Sequence, residues 1–277
     1  MDFTNLPNLK KLDLTNCKIN SNITFANLPN LDTLILTDAS FNGEIIIQDG
    51  VKVTNFNFSG IYLNNISFSG SNLQIDTLDF HKTIFGQSVI NLNAVSKNIK
   101  NIYFNSCTGL QHLEVTENYS FEKIEVFSIY GSSISSLGTN SNQFDAGLFT
   151  NISGLKRVGL DSNGNIINSK GVITKYNFTF RNTKIVNIVN LTWNGTGEYL
   201  FSDCLQLKSI NGTLNLTDSI EQIFYRCSEL STIPSININN SVVTAKNAFV
   251  MNNSLGYSNI SSIIKKCTHV LDFTQAC

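Results

Sequence analysis

The sequence is short of charge, of proline and of long apolar runs. Charged residues make up 14% of the 277 positions and the formal net charge is −1. No basic excess is there to draw nucleic acid or an anionic membrane surface. No run of about 18 apolar residues occurs, so no membrane insertion is expected. The opening residues, Met1-Asp2-Phe3-Thr4-Asn5, are neither basic nor apolar and do not read as a signal peptide. None of the six cysteines, Cys17, Cys107, Cys204, Cys227, Cys267 and Cys277, forms a C-x-x-C pair, which argues against a zinc site. G-x-S-x-G, a phosphate loop, H-E-x-x-H and a dinucleotide fingerprint are all missing. The three histidines, His81, His112 and His269, stand at no recognisable spacing from a nucleophile. An enzyme is therefore not expected, and neither a cofactor nor a metal is called for.

What is present is apolar content and asparagine. Hydrophobic residues are 42% of the chain and mean hydropathy is +0.01, enough for a core and too much for disorder. Proline occurs three times, whereas asparagine is roughly one residue in seven. Asparagine tolerates left-handed backbone and bonds its own neighbours, so its abundance suggests recurring turns. Recurring turns point to repeats.

From Leu9 the chain reads L-x-x-L-x-L-x-x-C-x-I, with Leu9, Leu12, Leu14, Cys17 and Ile19 in the marked places. Shifts of 22 residues recover it at Leu31, Leu34, Leu36, Ala39 and Phe41. The next step gives Val53, Phe56, Phe58, Ile61 and Leu63, and the one after gives Ile75, Leu78, Phe80, Thr83 and Phe85. Looser copies follow at Ile99, Ile102, Phe104 and Cys107, at Ile124, Phe127, Ile129, Ser132 and Ile134, and at Leu155, Val158, Leu160 and Asn163. Phe178, Phe180, Thr183 and Ile185 then keep the strand but lose the first apolar position. Leu200 to Ile210 aligns with Ile223 to Ile233 as F-x-x-C-x-x-L-x-x-I at a step of 23 residues. A weaker copy runs through Phe249, Asn252 and Leu255. The first pattern matches the leucine-rich-repeat consensus. The second resembles the BspA-like leucine-rich repeats, and the resemblance covers nearly the whole chain. It implies a repeat scaffold of the kind found in surface proteins of gut and oral bacteria, in some protists and in phages of such hosts. It fixes architecture more than function.

The predicted fold is mainly β: a leucine-rich-repeat solenoid of about 10–11 coils of 22–25 residues over 1–277. It has a parallel sheet on one face, short strands or irregular returns on the other, and few helices. Residues 1–98 are the regular 22-residue repeats, 99–170 the looser ones and 171–257 the F-x-x-C-x-x-L type. Residues 258–277 form a C-terminal cap, where Ile260, Ile263, Ile264 and Cys267 have helical spacing. Within each L-x-L, alternation sends Leu12 and Leu14 inward and Lys11, Asp13 and Thr15 outward. Strands stacked about 4.8 Å apart give a length of about 50 Å. The Cys or Asn after the strand is expected to face inward and bond turn backbone. Return segments such as Glu44 to Ile47, Ile66 to Phe68, Val89 to Leu92, Leu113 to Val115, Ile188 to Leu191 and Leu214 to Leu216 alternate over few residues and read as second strands. Little before the first strand shields it. Either another domain or subunit covers that coil, or Phe3 and Leu6 supply a short irregular cap.

Several local features have bland readings. Four cysteines fall at the buried turn position, as small apolar fillers. Cys204 and Cys227 lie on adjacent coils, where a disulfide needs a geometry that stacking alone does not impose. Asp161-Ser162-Asn163-Gly164-Asn165 has a calcium-loop look without the distal acid, the region around Ile173 being apolar. It reads as the turn of its own repeat. About thirteen Asn-x-Ser/Thr sequons reflect composition, since several fall inside strands.

The outward columns of the front strands are the candidate site. The column between the inward pair runs Asp13, Ile35, Asn57, Asp79, Tyr103, Ser128, Gly159, Thr179. The one after runs Thr15, Thr37, Ser59, His81, Asn105, Tyr130, Asp161, Arg181, and Arg157 stands in the column before. His81, Tyr103, Tyr130, Arg157, Asp161 and Arg181 gather in the central coils, and aromatic and Arg side chains are what binding hot spots use. The expected function is a non-enzymatic binding or adhesion module that presents an extended repeat surface to a protein or glycan. The alternative is a structural subunit of a larger assembly, such as a phage tail or fibre component. The expected location is extracellular, at a cell surface or on a virion.

Overall fold

The computed structural model describes residues 1–124, 126–129, 131–149, 159–160, 166–167, 178–195, 197–216, 220–238, 245–252 and 254–256. The fold is a mainly β solenoid of about nine turns with parallel sheets and almost no helix. By internal contacts the chain divides into two compact units, Met1–Ser141 and Asn142–Cys277.

In the first unit the inward apolar pairs build a front sheet. The strands Lys11–Asp13, Thr33–Ile35, Lys52–Asn57, Gln74–Asp79, Asn101–Tyr103 and Val126–Ser128 pair in parallel. Their register aligns Lys11, Thr33, Asn55, Thr77, Asn101 and Val126, then Asp13, Ile35, Asn57, Asp79, Tyr103 and Ser128. Those are the columns read from the repeat. Between the columns, Leu34, Phe56, Leu78 and Ile102 are wholly buried. The next inward residues, Leu36, Phe58, Phe80 and Phe104, are wholly buried too. Phe58, Phe80 and Phe104 stack with ring centroids 4.9 and 5.0 Å apart. Phe80 has a ring above and below, so a short aromatic column runs along the core between Leu36 and Ile129.

The return side is more extended than the sequence suggests. Ser40–Ile47 and Tyr62–Phe68 are eight and seven residues long, and Asn187–Gly195 and Ser209–Leu216 in the second unit are nine and eight. The short alternating cores were legible. Their extensions depend on bulges, with register shifts between Phe41 and Glu44 and between Ile188 and Leu191 that let one strand continue around a bend. Gly212 sits opposite the second bulge at φ +140°, where a Cβ would lie 2.0 Å from the Leu191 carbonyl oxygen. Only glycine fits there.

Asp2–Thr4 is a strand in register with Ile23–Ala26, and Phe3 stacks on Phe25 at 5.4 Å. The start of the chain is thus a return strand rather than an irregular cap, because Phe3 falls one repeat step from Phe25. A one-turn helix, Asn93–Ser96, was not foreseen; the Asn91 side chain accepts from the Asn93 N–H and turns the chain into it. The second unit holds a larger departure. Gly159–Leu160 pairs antiparallel with Ile166–Ile167, so Leu160 lies in a local hairpin and not in a front strand of the Leu155 repeat. The intervening D-S-N-G-N is rich in hairpin-turn residues. The expected helix near Ser258 lies outside the described residues.

On the front of the second unit, residues 198–203, 221–226 and 246–251 are successive tight turns instead of strands. Tyr199, Phe201 and Asp203 N–H donate to Glu221, Ile223 and Tyr225 carbonyls at 2.8–2.9 Å. Gln222, Phe224 and Arg226 repeat this to Lys246, Ala248 and Val250. The coils are therefore still laddered in parallel, and Phe180, Phe201, Phe224 and Phe249 stack at 5.1–5.6 Å.

Candidate functional site

The turn position behind the front strands performs one task in several coils. The Cys107 thiol donates to the Phe80 carbonyl at 2.7 Å, Cys204 to Phe180 at 2.8 Å and Cys227 to Phe201 at 3.0 Å. Thr83 and Asn252 supply the same bond to Phe58 and Phe224. The acceptor is the carbonyl of the aromatic residue one coil back; the Phe80, Phe201 and Phe224 carbonyls also accept a turn N–H, from Thr83, Cys204 and Cys227, so the side chain supplies a second bond. Cys17, Cys107, Cys204 and Cys227 are free thiols. Burial pushes the Cys204 thiol up to about 11 and raises the Cys107 and Cys227 thiols well above their ordinary value. These thiols are structural and unreactive.

Part of the outward column is also committed to folding. Asp13, Asn57 and Asp79 side chains accept the N–H two residues on, from Thr15, Ser59 and His81, at 2.9–3.1 Å. They end their strands as Asx turns. The Thr15 hydroxyl and amide hold the Asp13 carboxyl below its ordinary range. Three further outward positions are corrected. Val126, Ser128 and Asn105 are buried, with the Ser128 hydroxyl donating to the Asn105 side chain. The two polar groups satisfy each other across adjacent coils, so burial leaves neither unpaired.

Of the six side chains singled out in the sequence, His81 and Tyr103 are half-buried on the front of the first unit, His81 in the turn after the strand Gln74–Asp79 and Tyr103 at the end of the neighbouring strand Asn101–Tyr103. Arg181 belongs to the second unit. Tyr130, Arg157 and Asp161 lie outside the described residues.

Arg181 has company that the sequence reading missed. Asp203 lies between two guanidinium groups, with Arg226 Nη1 at 2.9 Å and Arg181 Nε at 3.5 Å. The Ser202 hydroxyl also donates to Asp203 at 3.1 Å. The Arg181 guanidinium carbon stands 5.2 Å over the Tyr199 ring. Asp203 and Arg226 occupy equivalent left-handed turn positions, φ +63° and +59°, on successive coils. The repeat thus places them side by side. The signal was available: Arg181, Asp203 and Arg226 are spaced by one repeat step each. The cluster carries one net positive charge, and Arg226 is 46% exposed. It is suited to gripping a carboxylate or aromatic group rather than to bond-making chemistry.

The description of a BspA type leucine rich repeat region (6 copies) matches this chain over residues 40–156, 74–190 and 162–270. The chain belongs to the BspA-type leucine-rich repeat family. No curated protein and no solved structure matches it. Its architecture is that of a repeat-based interaction or surface module; such repeats are typically surface-associated and generally non-enzymatic. Among the described residues, no helix is long and apolar enough to cross a membrane.

Proposed function

We propose that the chain is a binding module of an adhesion system, holding a protein or glycan of a cell surface on its front faces. The observation that carries this is the cluster of Arg181, Tyr199, Asp203 and Arg226 on successive coils. Arg and Tyr concentrate binding energy at interfaces. Asp203 holds both guanidinium groups in place beforehand, which lowers the ordering cost of association. His81 and Tyr103 form the corresponding patch of the first unit, and Tyr130, Arg157 and Asp161 are proposed as further ligand-contacting residues.

The test is to find a ligand on arrays of surface proteins and glycans, then to measure Arg226→Ala and Tyr199→Ala. Each is expected to weaken binding by about tenfold or more with an unchanged circular dichroism spectrum. Undiminished affinity in both variants removes the cluster from the interface.

A further inference from the structure

On the return side of the first unit, three successive coils enclose an open groove of about 530 Å³. Its walls are the Ser69–Ser71 turn, the end of the strand Val89–Asn91 with the helix after it, and Tyr119 from the next coil. This groove is distinct from the front faces and does not depend on the reading given for them.

The chemistry of its lining is one-sided. Asn91 Oδ1 accepts from the Asn93 backbone N–H, Asn93 Oδ1 from the Thr116 N–H, and Asn98 Oδ1 from the Lys123 ammonium, at 2.9–3.1 Å. A backbone N–H can only donate, so the first two amides are fixed with their oxygens turned into the protein. Asn91 Nδ2 spends one hydrogen on Glu114, and Asn98 Nδ2 spends one on the Leu73 carbonyl. The fold leaves over as donors the Asn93 amide nitrogen and the second hydrogens of Asn91 and Asn98, beside the Ser69 and Ser71 hydroxyls, which can donate or accept. Lys97 is the single charged side chain of the lining. Its ammonium stands 6.0 Å over the Tyr119 ring, at the outer limit of a cation–π contact. Its flexible stem can therefore turn to a ligand at little loss.

We propose that this groove is a saccharide subsite selective for a pyranose that carries a carboxylate. The Tyr119 ring receives the apolar face of the sugar, the pre-oriented amides donate to its hydroxyl oxygens, and Lys97 takes the carboxylate. A site with donors left over and a cation selects an acceptor-rich anion over a neutral isostere.

The test uses the full chain with methyl β-glucuronide, and methyl β-glucoside as its neutral counterpart. Saturation-transfer NMR is expected to show contact, with a dissociation constant on the order of 1 mM for the glucuronide and weaker binding of the glucoside. Lys97→Gln should lower glucuronide affinity about fivefold, towards the glucoside value. Tyr119→Ala should abolish the transfer for both sugars and Tyr119→Phe should retain it, which separates loss of the ring from loss of fold. Lys18→Gln, at an exposed lysine outside both the groove and the Arg226 cluster, should change nothing, so that a general loss of positive charge is seen separately. No transfer to the glucuronide, equal affinity for both glycosides, or displacement of the glucuronide by equimolar inorganic sulfate would each overturn the proposal.

Discussion

At single positions, the demands of a tight coil sometimes outrun the residue present. After the front segment of each described coil one residue turns the chain through a left-handed conformation: Asn16, Asp38, Gly60, Lys82, Ser106 and Gly131 in the first unit, and Asn182, Asp203, Arg226 and Met251 in the second. Asn, Asp and Gly bear this conformation readily, and Lys, Arg and Met do not. Lys82 is exposed and makes no ion pair among the described residues. Lys82→Asn is therefore expected to raise stability by about 0.5–1 kcal/mol, read as a higher denaturant midpoint at constant slope. His112 is a strained position of another kind. Burial pushes its imidazole pKa below the ordinary value, against the pull of Glu114, and Nδ1 lies 2.9 Å from the Ser136 hydroxyl. The unfolded ring titrates near 6.5, so below that pH the unfolded state takes up protons that the folded state resists. Stability from this residue is full above the unfolded pKa and is lost as pH falls through the folded one. The thermal midpoint should drop between about pH 7 and 5, and His112→Gln should flatten that slope.

At the scale of one coil, stability rests on repeated bonds between neighbours. Cys107 illustrates this, because its thiol is the partner of the Phe80 carbonyl inside the core. Cys107→Ala removes that bond from the core and leaves the carbonyl with the Thr83 N–H alone, at 3.0 Å, at an expected cost of about 1 kcal/mol; Cys107→Thr, which copies Thr83, should recover much of it in the same unfolding experiment. The inward place of this residue was legible in the repeat, and so was the register of the columns from Lys11 to Val126. The turn ladder at 198–203 was not. An inward–outward alternation is met equally by a strand and by successive tight turns. Tyr199 and Gln222, which adopt left-handed backbone there, are not residue types that announce it. The long return strands escaped notice for a related reason. A bulge carries the strand past a break in alternation, and only the register with the neighbouring coil reveals it.

Over a whole unit, each coil is held by the coils beside it and by little else, so damage spreads along the stack. Leu34→Asp puts a charge where no side-chain surface is accessible. It is expected to unfold several coils together, with amide exchange protection lost across residues 11–103 in one step; loss confined to the strand Thr33–Ile35 would show that the coils fold independently. At this scale the sequence by itself determined the repeat, its 22- to 23-residue step, the inward and outward columns and the family. Each of these follows from one apolar pattern recurring at one spacing. Tertiary structure decided which outward residues remain available. Asp13, Asn57 and Asp79 are drawn into turns and Ser128 is buried against Asn105, whereas Arg181, Asp203 and Arg226 meet across coils. The groove beside Tyr119 likewise depends on three coils at once. A pattern with a fixed period records which way a side chain points; which neighbour takes its hydrogen bond is settled only when the coils stack.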